Sequence, residues 1–390
     1  MNSKLSCEIG FNYINKYKEQ LCGDHLEMVS KDKTKIVVLA DGLGSGVKAN
    51  ILSTLTSKII STMMINGLPI EECVKTIAST LPVCSQRNVA YSTFTILKII
   101  NNEIAELYQY DNPLAIILRD GKVYNYPKEE LVIENKKIIK SNILLQCNDV
   151  FILFSDGALN ASPGGSLDMS WNHQAISEFM ETMYYPEYSA KSISTILLDK
   201  IKSLYDNHPG DDTTVCVTKI RQRKYVNLMI GPSKDKSDDE KMVMDFLNHE
   251  GVHIICGGSS AQVVSRFLNK EIKTDITSND PDIPPISFLE GIELVTEGII
   301  TLNKVLEYAK SHVSDDQNYG SWSYKKDGAS RLARYLFEEA TDLNFFIGDA
   351  INPAHQISNL KIDFQIKKHI INEIIDCLKK LGKNVSVKHY

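Results

Sequence analysis

Four short acidic motifs in the first half of the sequence each place an aspartate beside small, flexible residues. They are Gly23-Asp24, the run Asp41–Gly46, Ser155-Asp156-Gly157 and the run Gly210–Thr214. Hard divalent cations prefer carboxylate, carbonyl and water oxygens as ligands, whereas clustered carboxylates without a cation repel one another. A glycine beside such a ligand allows a sharp turn and the approach of a backbone carbonyl. Aspartates delivered from separate strand ends therefore predict a magnesium or manganese site.

An Asp-Gly pair is also a common turn dipeptide, and Asp120-Gly121 is interpreted as an ordinary hairpin turn. The order and context of the four motifs favour the metal site over four unrelated turns. Two of them follow strongly apolar segments, Ile36–Ala40 and Val150–Phe154, and the last precedes the β-branched segment Thr213–Thr218.

The elements that must position these motifs are mainly strands. Helical spacing predicts a helix at Val47–Asn66, a second one starting near Pro69, and a later pair near His173–Tyr184 and Ser189–Tyr205. Strands are predicted at Lys4–Tyr13, Asp24–Ser30, Lys35–Ala40, within the meander Ala90–Tyr126, and at Val150–Phe154 and Thr213–Ile220. Meanders with helix pairs indicate layered sheets rather than a βαβ repeat.

After residue 222 the pattern changes to alternating strands and helices. We expect two domains, residues 1–222 and residues 223–390, the second being a smaller α/β domain of unknown function that regulates the first or recruits its substrate. Strands are predicted at Tyr225–Ile230 and Val252–Cys256. Helices are predicted from about Asp238, from Ser260, and near Glu293–Ala309 and Gly328–Ala340.

Composition and charge limit the classes of partner that this protein is expected to bind. The 390 residues carry a formal net charge of −6, and the isoelectric point is near 5.9, so there is no basic surface to predict nucleic-acid binding. No segment approaches the roughly 18 apolar residues of a membrane span, and no signal peptide is evident, so we expect a cytoplasmic protein. Eight cysteines without CxxC pairs predict neither disulfides nor structural zinc.

The motif order resembles the metal-dependent protein phosphatase (PPM) family, in particular its bacterial branch typified by the stage II sporulation protein E phosphatase domain. The resemblance covers about residues 4–220 and also includes Ser92-Thr93-Phe94 before a strand and Asp111-Asn112-Pro113. It implies an αββα sandwich, with two antiparallel sheets flanked by helices, and a dinuclear manganese or magnesium centre at one end.

The resemblance also implies a role for each acidic position. Asp41 matches the carboxylate that bridges both metals, and the Gly42 carbonyl matches a ligand of one of them. Asp156 and Asp211 match the remaining ligands, and Asp24 matches an early acidic residue that contacts the centre directly or through water. Asp212 is expected among the metal-binding residues as well, although its place more often serves hydrogen bonding to the ligands, and capping of the turn into the last strand explains it equally well.

The implied activity is hydrolysis of phosphoserine and phosphothreonine by a hydroxide activated between two divalent metals, in bacterial signalling. A phosphorylated protein, such as an anti-sigma-factor antagonist-like regulator, is the implied substrate. The alternative is a catalytically weak module that binds a phosphoprotein or senses a ligand. A third hypothesis gives the main role to the second domain, as a sensor of a small molecule or anion.

Two further motifs are weighed against this interpretation. His249–His253 fits the H-E-x-x-H zinc-protease pattern, but Gly251 predicts that the helix ends between the two histidines. The turn Gly257–Ser260, between a strand and a helix, offers backbone amides and hydroxyls to an anion. A tight, well-capped turn is the simpler explanation for it.

Overall fold

The computed structural model describes residues 4–80, 92–161, 171–275, 283–314, 322–350 and 360–390, with side chains from residue 365 in the last range. The chain divides into two compact units, Met1–Gln222 and Arg223–Tyr390. We refer to them as the N-terminal unit and the C-terminal unit.

Strands dominate the N-terminal unit. Those described are β1 (Leu5–Ile14), β2 (Asp24–Lys31), β3 (Thr34–Gly42), β4 (Ser92–Ile100), β5 (Ile104–Tyr110), β6 (Ile116–Arg119), β7 (Lys122–Val123), β8 (Glu129–Ile133), β9 (Lys136–Leu144), β10 (Val150–Phe154) and β11 (Thr213–Gln222). One sheet has the order β1-β11-β10-β6-β7, and the other has the order β2-β3-β4-β5-β9-β8. Every pairing in both sheets is antiparallel.

The helices of this unit cover the outer faces of the two sheets. They are α1 (Gly46–Ile65), α2 (Ile70–Thr80), α3 (His173–Met183) and α4 (Ala190–Leu204). Helices α1 and α2 share an apolar core with the second sheet, and α3 and α4 share one with the first sheet. A third core lies between the two sheets. The layers are therefore helix, sheet, sheet and helix, and the predicted αββα fold class is confirmed.

Strand β3 shows how the sequence specifies these layers. Its residues Ile36–Ala40 are consecutive, apolar and fully buried. Val37 and Leu39 pack in the core between the sheets. Ile36, Val38 and Ala40 pack in the core beneath α1 and α2. Because successive side chains on a strand point to opposite faces, a strand buried on both faces needs an unbroken apolar run.

One hairpin was missed by the sequence interpretation, which placed the next strand after Tyr126 at Val150. Strands β8 and β9 pair around Glu134 and Asn135, whose φ values of 48° and 65° both lie in the left-handed region. Positive φ at both central residues is the hallmark of a two-residue hairpin turn. The many charged residues of this segment masked its alternation.

The C-terminal unit contains one seven-stranded sheet. Its strands are β12 (Tyr225–Ile230), β13 (Val252–Cys256), β14 (Lys273–Thr274), β15 (Ser287–Leu289), β16 (Ile292–Thr296), β17 (Asp342–Ile347) and β18 (Asn384–His389). The order is β14-β15-β16-β13-β12-β17-β18. Strands β16, β13, β12, β17 and β18 are mutually parallel, whereas β14 and β15 form an antiparallel edge.

Helices lie on both faces of this sheet, as expected for an α/β domain. They are α5 (Asp239–Asn248), α6 (Gly258–Leu268), α7 (Ile299–Ser314), α8 (Gly328–Ala333), continued by a π-helical stretch at Arg334–Glu339, and α9 (Leu360–Lys380). Helices α5 and α6 pack on one face, and α7, α8 and α9 pack on the other. The helix predicted near Glu293–Ala309 was wrong at its start, because Glu293–Thr296 belongs to β16 and the helix begins at Ile299.

Among the described residues, no helix combines the length and the apolar character that crossing a membrane requires. Every cysteine that the structure describes is a free thiol, whereas Cys84 lies outside the described residues.

Candidate metal centre

Two of the acidic motifs meet through strand pairing in the second sheet. Asp24 is the first residue of β2, and Asp41 is the penultimate residue of β3. The antiparallel register places these two residues directly opposite each other. The side chain of Asp24 is buried, with 4% of its surface exposed. Two carboxylates therefore face one another at the end of this sheet.

The other two motifs meet at the end of the first sheet. Asp156 follows β10, and Asp211 and Asp212 precede β11. The backbone N–H of Ser155 donates to the Thr214 carbonyl at 3.1 Å, and the Thr214 N–H donates to Ser155 Oγ at 2.9 Å. This paired contact extends the β10–β11 ladder up to the acidic loops.

Ser155 also joins the two sheets. Its hydroxyl donates to Asp24 Oδ2 at 2.7 Å, although the two residues are 131 positions apart in the sequence. Ser155 is fully buried. The serine of the Ser-Asp-Gly motif thereby fixes the orientation of one carboxylate and sets the spacing between the ends of the sheets.

Electrostatic interactions show that the four motifs converge. Burial, followed by the charges of Asp24, Asp156 and Asp211 and a hydrogen bond with Asp156, raises the pKa of Asp41 to about 9. Burial and the nearby charges of Asp212 and Asp156 raise the pKa of Asp24 to about 7, against hydrogen bonds that lower it. Burial and the charge of Asp156 also raise the pKa of Asp211. The carboxylates disfavour one another's ionisation unless positive charge is supplied.

Glycines in two of the motifs permit close backbone contacts. A Cβ on Gly42 would overlap the backbone of Ala49 in α1, and a Cβ on Gly157 would overlap the backbone carbonyl of Asp212. The Gly42 N–H donates to the Gly23 carbonyl at 3.2 Å. These glycines allow the acidic loops to pack closely together. The structure therefore requires glycine at these positions for close packing, whereas the sequence suggested turn flexibility.

Asp212 holds a neighbouring loop in place. Its Oδ1 accepts the backbone N–H of Lys16 at 2.9 Å, and its own N–H donates to Asp211 Oδ1 at 3.0 Å. Its side chain is buried, with 4% exposed. These contacts match the hydrogen-bonding role that the sequence left open for Asp212, beside capping.

Two buried oxygens support a fit to cations. Asp24 Oδ1 and Asp212 Oδ2 have no hydrogen-bond partner among the described residues. A buried carboxylate oxygen without a donor is costly, and a cation would satisfy it. Within the same described residues, no three Asp, Glu, His or Cys side chains form a ready-made ligand cluster. Magnesium needs only one or two carboxylates, because it retains several waters. The acidic set therefore suits such an ion.

The sequence interpretation missed some of the supporting residues. Thr93 Oγ1, on the strand beside Asp41, donates to Asn112 Oδ1 at 2.5 Å, and the Asn112 amide donates to Thr95 Oγ1 at 3.3 Å. The motifs Ser-Thr-Phe and Asp-Asn-Pro carried these residues but gave no indication of their contact. Ser155 was likewise visible only as part of a motif.

The H-E-x-x-H segment does not lie on one continuous helix. Helix α5 ends at Asn248, Gly251 has a φ of 117°, and β13 begins at Val252, so the predicted break between His249 and His253 is confirmed. The His208 ring packs edge-on against Tyr17 with centroids 4.7 Å apart, and its Nδ1 lies 2.8 Å from the Asp206 carbonyl. His208 is thus a loop histidine held by contacts with its neighbours.

Residues 31–221 match the model of the family described as Stage II sporulation protein E (SpoIIE). The match lies within the N-terminal unit and is to the SpoIIE-type branch that the motif order resembles. The resemblance drawn from the motif order is confirmed. No curated protein matches the sequence.

Several solved phosphatase domains are similar to this chain. The PP2C phosphatase domain of SpoIIE from Bacillus subtilis, solved with a fragment of its regulatory domain, is 20% identical over 56% of this chain, with a TM-score of 0.49. This chain spans 64% of that one. RsbX in complex with magnesium is 22% identical over 56% of this chain and 97% of its own, with a TM-score of 0.39. The catalytic domain of PstP, in complex with two manganese ions, is 13% identical over 56% of this chain and 100% of its own, with a TM-score of 0.39.

Proposed function

We propose that this protein is a metal-dependent serine/threonine phosphoprotein phosphatase acting in bacterial signalling. The observation that carries the proposal is the convergence of four acidic loops, with a buried Asp24 oxygen that has no hydrogen-bond donor among the described residues. The family of the N-terminal unit supports it. A module that only bound phosphoproteins would have no need for buried carboxylates that repel one another.

Two manganese or magnesium ions are the proposed cofactors. RsbX, solved with magnesium, and PstP, solved with two manganese ions, are similar proteins, and the metal ions bound to them support this choice. When bound, such a pair of ions acidifies a water for attack on phosphorus and neutralises the charge of the phosphoryl oxygens.

The residues have distinct proposed roles in holding these ions. Asp41 would hold both ions, as the family resemblance implies, and the charges of Asp24, Asp156 and Asp211 act on its carboxyl group. The Gly42 carbonyl, Asp156 and Asp211 would complete the protein ligands, and Asp24 would hold the ions directly or through water. These roles rest on the family pattern and on the loop positions described above.

Two residues position the ligands rather than bind phosphate. Ser155 donates to Asp24 Oδ2, and the other oxygen of that carboxylate has no hydrogen-bond partner among the described residues. Asp212 ties the loop after β1 to the start of β11 through the Lys16 N–H. Because both are buried, they fix geometry without depending on substrate.

A phosphorylated protein is the proposed substrate, with an anti-sigma-factor antagonist-like regulator as the particular candidate. The C-terminal unit is proposed to regulate the phosphatase or to recruit that substrate. Lys16, in the loop after β1, exerts a favourable charge on Asp211. The same lysine is proposed to assist phosphate binding.

The test is phosphate release from a phosphothreonine peptide by the full chain in manganese, magnesium or EDTA. Asp41→Asn and Asp211→Asn should each lower metal-dependent release by at least about 100-fold, because each removes a ligand charge. Asp120→Asn is the matched control, since Asp120-Gly121 is the same dipeptide in the β6–β7 hairpin turn. Its activity should stay within about twofold of the parent, a change below about 0.5 kcal/mol.

Calorimetric titration with manganese distinguishes the possible failures. Release that persists in EDTA would contradict a metal-dependent reaction. Manganese binding by the full chain without any release, on several phosphoserine and phosphothreonine peptides, would instead support the binding-module alternative.

A further inference from the structure

One loop of the N-terminal unit crosses the end of the sandwich where the acidic motifs meet. Residues 15–23 connect β1 of the first sheet with β2 of the second sheet. The Tyr17 N–H donates to the Pro209 carbonyl at 2.8 Å, and the Lys16 N–H donates to Asp212 Oδ1 at 2.9 Å. These bonds hold the first half of the loop against the acidic segment that precedes β11.

The second half of the same loop is held against the start of α1. Ser45 Oγ donates to Glu19 Oε1 at 3.3 Å. The side-chain amide of Asn50 donates to the Cys22 carbonyl at 2.8 Å. The loop and the first turns of α1 therefore form one continuous surface beside the acidic centre.

Exposed apolar side chains lie along this surface, and we refer to them as the apolar strip. Leu43 follows Asp41 by two residues, so one end of the strip adjoins the acidic centre. Leu21 and Ile51 are the chain neighbours of Cys22 and Asn50, whose hydrogen bond brings the loop and the helix together. The members and their exposed fractions are Leu21 (43%), Leu43 (39%), Val47 (62%), Ile51 (52%) and Leu55 (43%).

Helix α1 has polar groups on the face where apolar side chains are usual. The side that packs on the second sheet includes four buried hydroxyl residues, Ser53, Thr56, Ser57 and Ser61. A surface helix normally turns its aliphatic side chains toward the core and its polar ones toward water. Three aliphatic residues of the apolar strip lie on the outer side of α1 instead, at a spacing of four residues that places them on one face. They are available to a partner, and an exposed apolar patch of this kind marks an interaction site.

The length and position of the apolar strip indicate a polypeptide as its occupant. Val47 and Leu55 lie about 12 Å apart along the helix, at a rise of about 1.5 Å per residue. An extended chain spans that distance with about four residues, at about 3.3 Å each. A polypeptide whose phosphorylated residue reaches the acidic centre carries its neighbouring residues past Leu43 and onto α1.

We propose that the apolar strip binds the residues that neighbour the phosphorylated serine or threonine of the substrate, and that it selects bulky apolar side chains there. This inference rests on the phosphatase activity proposed above and names the substrate class of the same site. Removing a leucine-sized side chain from water favours binding, whereas contacts to the phosphoryl group are the same for every phosphopeptide. The apolar strip is therefore a determinant of specificity rather than of the chemistry.

Two phosphothreonine peptides of equal length and charge test this selectivity on the full chain in manganese. One peptide has leucine at the two positions on each side of the phosphothreonine, and the other has serine there. The parent protein should show a kcat/KM at least about tenfold higher for the leucine-flanked peptide, because only its side chains can be buried on the apolar strip.

The double variant Val47→Ser/Ile51→Ser should reduce that preference to within about twofold of equality, since it removes two of the apolar contacts. Serine has a helix propensity close to those of valine and isoleucine, so α1 should remain folded, which the melting temperature checks. Leu144→Ser is the matched control. Leu144 is 71% exposed at the end of β9, and its variant should keep the preference of the parent.

Calorimetric titration separates this proposal from the proposed function. The same two peptides are used with a non-hydrolysable phosphonate in place of the phosphate, in manganese. The leucine-flanked analogue should bind at least about tenfold more tightly, even if no phosphate release is detected. Equal affinity for the two analogues would overturn the proposal.

Two other outcomes would also overturn it. Equal kcat/KM for the two peptides would show a phosphatase that does not use the apolar strip for its substrate. A dimer of the full chain in sedimentation that Val47→Ser/Ile51→Ser dissociates would assign the apolar strip to a second copy of the chain instead.

Discussion

Asp24 and Asp41 occupy directly opposed positions in the antiparallel pairing of β2 with β3. Like charges at such positions are destabilising, and neither residue lies in a solvated turn where water could weaken the repulsion. The opposed pair therefore costs stability in the absence of cations. The destabilisation can be measured as a change in the free energy of unfolding, which an aspartate in an ordinary turn would not show.

Asp24→Asn should remove the destabilising repulsion between residues 24 and 41. Without metal, the neutral amide can still accept the Ser155 hydroxyl and relieves the repulsion, so the free energy of unfolding of the N-terminal unit should rise by up to about 1 kcal/mol. The stabilisation by manganese should shrink at the same time. Scanning calorimetry in EDTA and in manganese checks both changes. Lower stability in EDTA would show that the pair does not repel.

Gly42→Ala should disrupt the centre through packing rather than charge. The added methyl group would overlap the backbone of Ala49, so we expect a loss of about 1–3 kcal/mol in stability together with loss of phosphatase activity. Gly44→Ala is the matched control, because Gly44 has a φ of 101° but open space around its Cβ position. It should cost only about 1 kcal/mol. Denaturant unfolding and peptide assays at 20 °C would separate the two variants.

The Arg119–Asp149 pair should be a stability determinant remote from the chemistry. Asp149 is fully buried, and its two carboxylate oxygens accept hydrogen bonds from Nε and Nη2 of Arg119, each 2.8 Å long. Asp149→Asn should cost about 3 kcal/mol, because the guanidinium loses its counter-charge in a partly buried place. Urea unfolding measures this cost. Activity per folded molecule should be unchanged.

An exposed ion pair provides the comparison for that prediction. Lys137 and Glu130 are 3.2 Å apart on the β8–β9 hairpin, with 73% and 49% of their side chains exposed. Glu130→Gln should change stability by less than about 0.5 kcal/mol. A cost equal to that of Asp149→Asn would mean that burial is not what makes the Arg119 pair important.

The N-terminal unit should work alone if it is cut after β11 but not before it. Strand β11 lies between β1 and β10, and its register with β1 runs from Leu5–Gln222 to Ile14–Thr213. A fragment of residues 1–222 should fold and release phosphate with manganese. A fragment of residues 1–211 should remain unfolded, since β1 would be cut off from the sheet and β10 would lose one of its two neighbours. Circular dichroism and the peptide assay check each fragment, and a folded shorter fragment would contradict this role for β11.

Motif order made the acidic residues of the centre predictable from the sequence. Asp41 and Asp156 follow apolar strands, and such strands end at sheet edges, so a common location could be expected. The sandwich itself came from the family resemblance, since periodicity alone indicated only layered sheets. What local patterns could not supply was pairing across long distances, such as the Ser155 contact with Asp24. Contacts of this kind depend on how two sheets face each other.

Other parts of the fold were hidden by competing signals. The charged residues of β8 and β9 obscured a hairpin whose first turn residue, Glu134, is unusual for positive φ. In the C-terminal unit, the apolar residues of β16 run closely into those of α7, so their boundary at Gly298 was read as continuous helix. Strand order in the sheet of the C-terminal unit has no local sequence signal at all.

The position of β11 has a consequence for biosynthesis. The strand that follows Asp211 and Asp212 is made last in the N-terminal unit, yet it pairs along its whole length with the first strand. A nascent chain that has emerged only as far as α4 therefore carries Asp24, Asp41 and Asp156 without the strand that aligns them. The loop that carries Asp211 and Asp212 can join the other three acidic loops only when residues 211–222 have left the ribosome. Synthesis itself thus delays completion of the acidic cluster until the whole unit has been made.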